Sequence, residues 1–471
     1  MRHGILPFEI EITGSSDGVT AHGGLPLVLE TMRALGMDKS IERHLHLRER
    51  QGGFSETEKV EALVLLLAAG GDCFDDIEVL KADTGLGRLL GRTLPSADVL
   101  RRFTYEFHDE ALIEAAKLGR PQGTVAYIPA ENAALQGLDR VNTDLVRAVA
   151  ARGKGKRATL DHDATVIESH KALAQPHYKG GVGYQPAVIY WAEQDLALAD
   201  EYRDGNVPAG MANLPLIQRG FAALAPGIEY RFFRGDSACY EAPVLKWLAD
   251  AERKVGPAGR IGFSISADMT KELQKVCQAV PETQWELCQD RADETVMCAD
   301  VEFAPGDWSK DADPLRYVAL RIKKKQGRLF ASGYDTRYLA VVSNRRELRA
   351  TELITWHWQK AGTIEQLHDV MKNELAAGTP PCGRFGANAA WNRLSLITYN
   401  VLSAMKSLAL PPTMSTARPK RLRFAVLNLA ARISSHAGTL WMRLGEQIEA
   451  TVQMVTARLR LLALLPAAEA G

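Results

Sequence analysis

The 471-residue sequence predicts an α/β protein built on a mixed sheet with helices packed on both of its faces. Two observations carry that expectation. Between residues 151 and 280 apolar residues alternate with period two in five short runs, and helical spacing separates the third, fourth and fifth of them. From about 280 to 345 the pattern turns to strands alone, whereas the flanking stretches are spaced for helices. The expected division is therefore a helical N-terminal region (1–150), a core whose first part spans 151–280, and an inserted all-β subdomain (281–346). The second part of the core (347–410) and a helical C-terminal region (411–471) follow.

Taken in order, residues 1–20 read as an extended arm ending in the turn-rich GSSDG. FSETEKVEALVLLLAAGG opens with a capping box, Ser55 and Glu58, and closes on a glycine pair. CFDDIEVLKADTGLGRLLG is followed by LPSADVLRRFTYEF, in which Pro95 and Ser96 start a helix. Its Arg101 and Arg102 lie outside the stripe of Val99, Leu100 and Phe103. Short helices with one basic member resemble a helix-turn-helix, which would lay the last helix in a DNA groove. A small bundle with a solvated basic face fits the same residues.

The basic linker ARGKGKR (151–157) leads into ATLDHDATVIES, YQPAVIYWAEQ and LALADEYRDGN, three consecutive strands of an antiparallel meander. LPLIQRGFAALAP is a helix stopped by proline, IEYRFFRGD a fourth strand, EAPVLKWLADAERK a helix and RIGFSIS a fifth strand. Three strands, helix, strand, helix, strand is the order of the ribonuclease H-like fold, whose sheet is mixed. TQWELCQD, TVMCADVEF, LRYVALRIKKK and RYLAVVSN supply the inserted strands. The remainder is helical, with a proline-rich break at 411–419 and the basic cluster RPKRLR at 418–423.

Composition narrows the function classes. Net charge is zero, so any affinity for nucleic acid must come from local patches. The six cysteines (Cys73, Cys239, Cys277, Cys288, Cys298, Cys382) form no C-x-x-C pair, which argues against a zinc knuckle or a disulfide scaffold and fits a reducing cytoplasm. MRHGILPFEIEI lacks the apolar core of a signal peptide, and the apolar stretch Ala62–Ala69 is far short of the roughly 20 residues of a membrane span. The expectation is a soluble cytoplasmic protein with no membrane partner.

Three acids stand out. On the first strand Asp161, Asp163 and Thr165 share one face, opposite Leu160 and Val166. Asp236 sits where the fourth strand ends, and carboxyl ends of strands are where open α/β sheets hold ligands. Glu365 lies in the first turn of GTIEQLHDVMKNEL, whose Ile364, Leu367 and Met371 face inward and whose His368 and Lys372 follow Glu365 at i+3 and i+7. Each acid alone has a plain reading: a wet strand edge, a helix N-cap, a solvated face. Together, two strand aspartates and one helix glutamate can form an all-oxygen cage for Mg²⁺. Two such ions about 3.5–4 Å apart clamp the attacking and leaving oxygens of a phosphodiester. Paired carboxylates also serve glycosidases, but the basic ARGKGKR, RIKKKQGR and RPKRLR stretches suit a polyanion better.

In these residues the chain resembles bacterial insertion-sequence transposases of the Asp-Asp-Glu type, in the branch with a β insertion before the glutamate. These belong to the retroviral-integrase and ribonuclease H-like superfamily. Asp163-Ala164-Thr165 matches the family's Asp-x-Thr, Asp236-Ser237 its Asp-Ser, and Glu365 and Lys372 the last two members of its Tyr, Arg, Glu, Lys signature. Trp358 stands where tyrosine is usual, and Lys360 lies near the arginine position. YKGGVGYQP, RDGN and FGANAAWNRLSLITYNVL extend the likeness along the chain.

The resemblance implies Asp163, Asp236 and Glu365 as catalytic metal ligands, with Asp161 an auxiliary acid. It implies Mg²⁺ as cofactor, replaceable by Mn²⁺, and Lys372 and Lys360 as contacts to DNA phosphate. Water would cut each transposon end, and the freed 3′-hydroxyl would attack target DNA. The implied partners are double-stranded DNA, as terminal inverted repeats and as target, and a second copy when DNA is bound, on the bacterial nucleoid. Arg101 and Arg102 would read the ends, and Trp308 or Trp285 would stack on an unpaired base. A nuclease that cuts without joining, and an inactive DNA-binding relic, are the alternatives.

Overall fold

The computed structural model describes residues 18–47, 52–306, 308, 313–446 and 448–465, and they fall into two units. The larger unit comprises 35–47 and 104–403; the smaller comprises the residues before 35, 48–103 and those from 404 onward. This regroups the divisions expected from sequence. The helix Ala133–Ala150 belongs with the sheet-containing unit, and the C-terminal region belongs with the N-terminal helices.

The larger unit is organised by one nine-stranded sheet. Its strands are β1 (Arg157–Ala164), β2 (Ala187–Trp191), β3 (Leu196–Glu201), β4 (Tyr230–Gly235), β5 (Ile261–Ser266), β6 (Glu286–Asp290), β7 (Glu294–Val301), β8 (Arg316–Lys324) and β9 (Thr336–Ser343), in the spatial order 3-2-1-4-5-9-8-7-6. β1, β2 and β3 pair antiparallel, while β4 runs parallel to β1 and β5 parallel to β4. That is the ribonuclease H-like order. The first strand ends at Ala164, and Ile167–Glu168 turns away into a separate three-stranded sheet.

The β block inserted in the sequence continues the same sheet, because Val341–Ser343 of β9 pairs antiparallel with Ser264–Ser266 of β5. Val296, Cys298, Val318, Leu320 and Val341 form one face of this extension. They pack on Leu353, Ile354 and Trp356 of the following helix, so insertion and core share a hydrophobic cluster.

Helices cover the sheet: α1 (Ala133–Ala150), α2 (Asn213–Ala223), α3 (Ala242–Ala249), α4 (Lys271–Gln278), α5 (Ala350–Trp358), α6 (Ile364–Glu374) and α7 (Phe385–Leu408). Two buried asparagines finish the sheet's β3 side. A bulge opposite Ile189 and Tyr190 lifts Leu198 out of register. Asn400 of α7 accepts from the Ala197 N–H at 2.8 Å and donates to the Ala197 carbonyl at 2.8 Å. Asn142 of α1 donates to the carbonyls of Ala197 and Leu198 at 3.0 and 3.2 Å and accepts from Asn400. The backbone groups there are satisfied by side chains.

In the smaller unit, the capping box forms as the spacing predicts: Ser55 accepts from the Glu58 N–H, and Glu58 accepts from the Ser55 N–H at 2.7 Å. The helix Glu56–Ala69 stops at Gly70, whose φ of 103° only glycine adopts cheaply. The C-terminal region is helical except at 431–444, where Ala431–His436 and Thr439–Leu444 form a hairpin that also pairs with Val19–Thr20. Its turn, Ala437-Gly438, has φ of 49° and 77°, a conformation matched to strand twist. No helix among the described residues is long and apolar enough to cross a membrane.

Candidate active site

The parallel pairing of β1 and β4 sets Asp161 opposite Arg234. Asp163, still paired with Val188 of β2, and Asp236, just past the end of β4, are each two residues further along and so lie side by side towards the carboxyl ends of neighbouring strands. Asp236 also accepts from the Ala238 N–H at 3.0 Å and so caps the short turn Ser237–Cys239. Asp236 thus stands at a strand end and also serves as the cap of the turn that follows.

Asp161 and Asp163 share a face, yet their surroundings differ. Asp161 is fully buried and forks onto Arg234, whose Nε and Nη2 donate at 2.6 and 2.8 Å. Thr363 donates to it at 2.5 Å, and the remaining Arg234 Nη1 donates to the Trp356 carbonyl at 2.8 Å. Burial pushes the Asp161 carboxyl up, against the pull of Arg234. All of this ties β1, β4 and the α5–α6 connection together, and Asp161 is occupied by it.

Asp163 is partly open. Lys360 Nζ approaches it at 3.4 Å, and His368 Nε2 stands 3.7 Å away. Burial, with Lys360 and Lys372 adding, pushes the His368 imidazole down to about 3, so the ring is neutral at pH 7 and does not form an ion pair. Burial raises the Asp236 carboxyl; Lys360 opposes that rise and the negative charge of Asp163 adds to it. Lys360 is thus the ammonium shared by both aspartates. It faces inward, towards the acids.

Helix α6 runs along the end of β1. Thr363 meets Asp161, His368 lies by Asp163, and Lys372 donates to the Val166 carbonyl at 2.8 Å. At 3.6 residues per turn, Glu365 lies about 60° from His368 and about 20° from Lys372 around the helix. It is exposed. Among the described residues no close group of three potential ligands contains it; the group at this place is His162, Asp236 and Cys239, with ligand atoms within 4.8 Å of one another. The structure therefore brings Asp163, Asp236 and Lys360 together, and Glu365 is outside any close ligand group among the described residues. His162, on the opposite face of β1 from the aspartates, and Cys239 were not singled out by spacing, because nothing local links them.

The other sequence candidates take varied places. Trp285 is buried in the β extension beside Tyr338 at 6.2 Å, with Arg321 over its ring at 4.6 Å, as a core residue would be. Trp308 is half-buried and donates its Nε1–H to the Asp313 carbonyl at 3.1 Å. Arg101, on the helix Ala97–Tyr105, pairs with Asp98 at 2.6 Å and Asp75 at 3.2 Å; Arg102 is exposed.

Residues 7–465 match the family described as Transposase DDE domain group 1. The chain belongs to that family. Nothing among curated proteins matches it. Among solved structures, a piggyBac transposase synaptic complex with hairpin DNA is similar over 87% of this chain and 81% of that one, at 11% identity and a TM-score of 0.45.

A second acidic feature of this transposase-family chain lies apart from the cluster. Asp204, of the RDGN segment, borders a cavity of about 130 Å³ shared with His108, Glu110, Lys117, Tyr127 and Tyr184. Burial raises its carboxyl from 3.8 to about 6, and Lys117 only partly offsets this. A folded-state pKa above the unfolded value means that stability is lost as pH rises from about 4 through 6. At roughly 1.4 kcal/mol per unit the loss at pH 7 is on the order of 2–3 kcal/mol. Asp204→Asn should therefore raise the melting temperature at pH 7.5, and the gain should vanish near pH 4. An equal gain at both pH values would show that ionisation of Asp204 is not its source.

Proposed function

We propose that the protein is a DNA transposase that cuts at the ends of its own element and joins them to target DNA by two-metal phosphodiester chemistry. The observation that carries this reading is the convergence of Asp163 and Asp236 at adjacent strand ends, beside α6, in a chain matched almost end to end by a transposase family.

The donor chemistry fits a hard divalent cation. Two carboxylates at neighbouring strand ends share the ammonium of Lys360, which lies 3.4 Å from Asp163. Asp163, Asp236 and Glu365 would hold Mg²⁺, or Mn²⁺ in its place, and the bound ions would supply Lewis-acid stabilisation of the phosphate and of the attacking oxygen. Lys360 neutralises the aspartates until then and is released towards backbone phosphate as cations enter. Lys372, next to Glu365 on the helix surface, holds the end of β1 through Val166 and meets the same phosphate backbone. Neutral His368 restrains Asp163 without competing for DNA.

End recognition belongs to the helix Ala97–Tyr105, where Arg102 is the exposed arginine. Arg102→Ala should weaken binding to the element's ends and flatten its dependence on salt. Both ends must be held together, so the DNA-bound form is a dimer. The test incubates the purified full chain with its element's terminal DNA, a circular target and Mg²⁺. Transposition gives cut ends and joined products. Cleavage without joining would reduce the reading to a nuclease, and binding with neither would make the protein a relic.

A further inference from the structure

Behind Asp236 lies a ligand set of a different chemical kind. Cys239 Sγ stands 3.1 Å from His162 Nδ1, and both residues are fully buried. One ligand atom from each of His162, Cys239 and Asp236 falls within 4.8 Å of the other two. The second ring nitrogen, His162 Nε2, is buried on the far side of the ring from Cys239, and the ring also interacts with the side chain of Asn213, whose amide engages Arg203, Ala209 and Ala238. An imidazole, a thiol and a carboxylate that converge in this way suit a borderline-soft ion rather than a hard one.

We infer that His162, Cys239 and Asp236 form a binding site for Zn²⁺ or a similar thiophilic divalent ion, and that filling it withdraws Asp236 from the hard-ion site. The binding step balances simply. Cys239 loses its S–H proton to solvent and its sulfur binds the ion, His162 Nδ1 and an Asp236 carboxylate oxygen each donate a lone pair, and water takes the fourth place. Asp236 is the least buried of the three, so the ion enters from the side of the aspartate pair. Binding stands on these residues alone; its inhibitory effect rests on the proposed role of Asp236.

The test titrates the metal-free full chain with Co²⁺. Expected are a sulfur-to-cobalt charge-transfer band and visible absorption of a four-coordinate ion, both displaced by Zn²⁺. Cys239→Ser and Cys239→Ala should abolish the band in a chain that still unfolds cooperatively, and Asp236→Asn should weaken it. Cys288→Ser should leave it intact, which separates this site from the other neighbouring thiols, Cys288 and Cys298. In Mg²⁺-supported cleavage, Cys239→Ala should need at least about tenfold more Zn²⁺ for half-inhibition than the wild type. Absence of a Cys239-dependent band, or its loss in Cys288→Ser, would overturn the site and leave the Cys239–His162 contact a plain hydrogen bond. A Cys239-dependent band with cleavage indifferent to Zn²⁺ would keep the site and remove Asp236 from catalysis.

Discussion

Alanine at Asp163, Asp236 or Glu365 should each lower Mg²⁺-supported strand cleavage by about a thousandfold or more, equivalent to at least about 4 kcal/mol of lost transition-state stabilisation. DNA binding and folding should persist. Glu365 gives the clearest reading. It is exposed on the first turn of α6, so its removal leaves no cavity and no unpaired buried group, and unfolding cannot account for a dead variant. It also lies outside the close group at the strand ends, so its participation requires the side chain to reach inward once cations are present. Cleavage by Glu365→Ala within tenfold of the wild type would remove it from the site and point to another third ligand.

The second large effect concerns the neighbouring aspartate and falls on stability. Asp161→Ala strands the Arg234 guanidinium, only 2% exposed, against an empty space where its fork partner was. Breaking a buried pair from one side costs about 3–5 kcal/mol, because a desolvated charge remains. Urea unfolding should therefore show a large fall in midpoint for Asp161→Ala and a small change for Asp163→Ala, the reverse of their order in metal-dependent cleavage once folding is allowed for. Replacing Asp161 and Arg234 together with apolar residues of similar volume should recover much of the lost stability. If Asp161→Ala unfolds with the wild-type midpoint but cannot cut, the two aspartates have exchanged roles.

The sheet was legible because its strands are short, alternate cleanly and are separated by proline and glycine; β1 to β5 fall where alternation puts them. The hairpin at 431–444 was not, because RISSHAGTLWMRL is brief, mostly exposed and surrounded by helical pattern, and its turn depends on a positive φ at Ala437 as well as at Gly438. At the proposed site, Asp236 stood out by its place at a strand end, whereas Asp163 was separated from Asp161 only by the resemblance of Asp163-Ala164-Thr165 to a family motif. The commitment of Asp161 could not be read in the sequence, since Arg234 is 73 residues away and meets it only through the parallel register of β1 and β4. The same holds for His162 and Cys239, which lie 77 residues apart. Pairings set by register are invisible to periodicity. Trp285, placed within the strand pattern, already leaned towards a core role in the sequence, and Arg321 and Tyr338 lie around it.

The two asparagines beside Ala197 have a consequence for the chain among its own copies. A sheet of this width has two margins, and each is a template on which a foreign strand can grow. At β3 that template is blocked: Asn400 offers Ala197 the donor and acceptor that an added strand would bring, and holds them from within a buried helix. At β6 the margin is short, bulged after Leu287 and bounded by Glu286 and Asp290, which repel an in-register neighbour. One margin is closed by mimicry and the other by charge and irregularity. The molecule can thus carry a wide sheet and still resist fibre-like stacking with its neighbours.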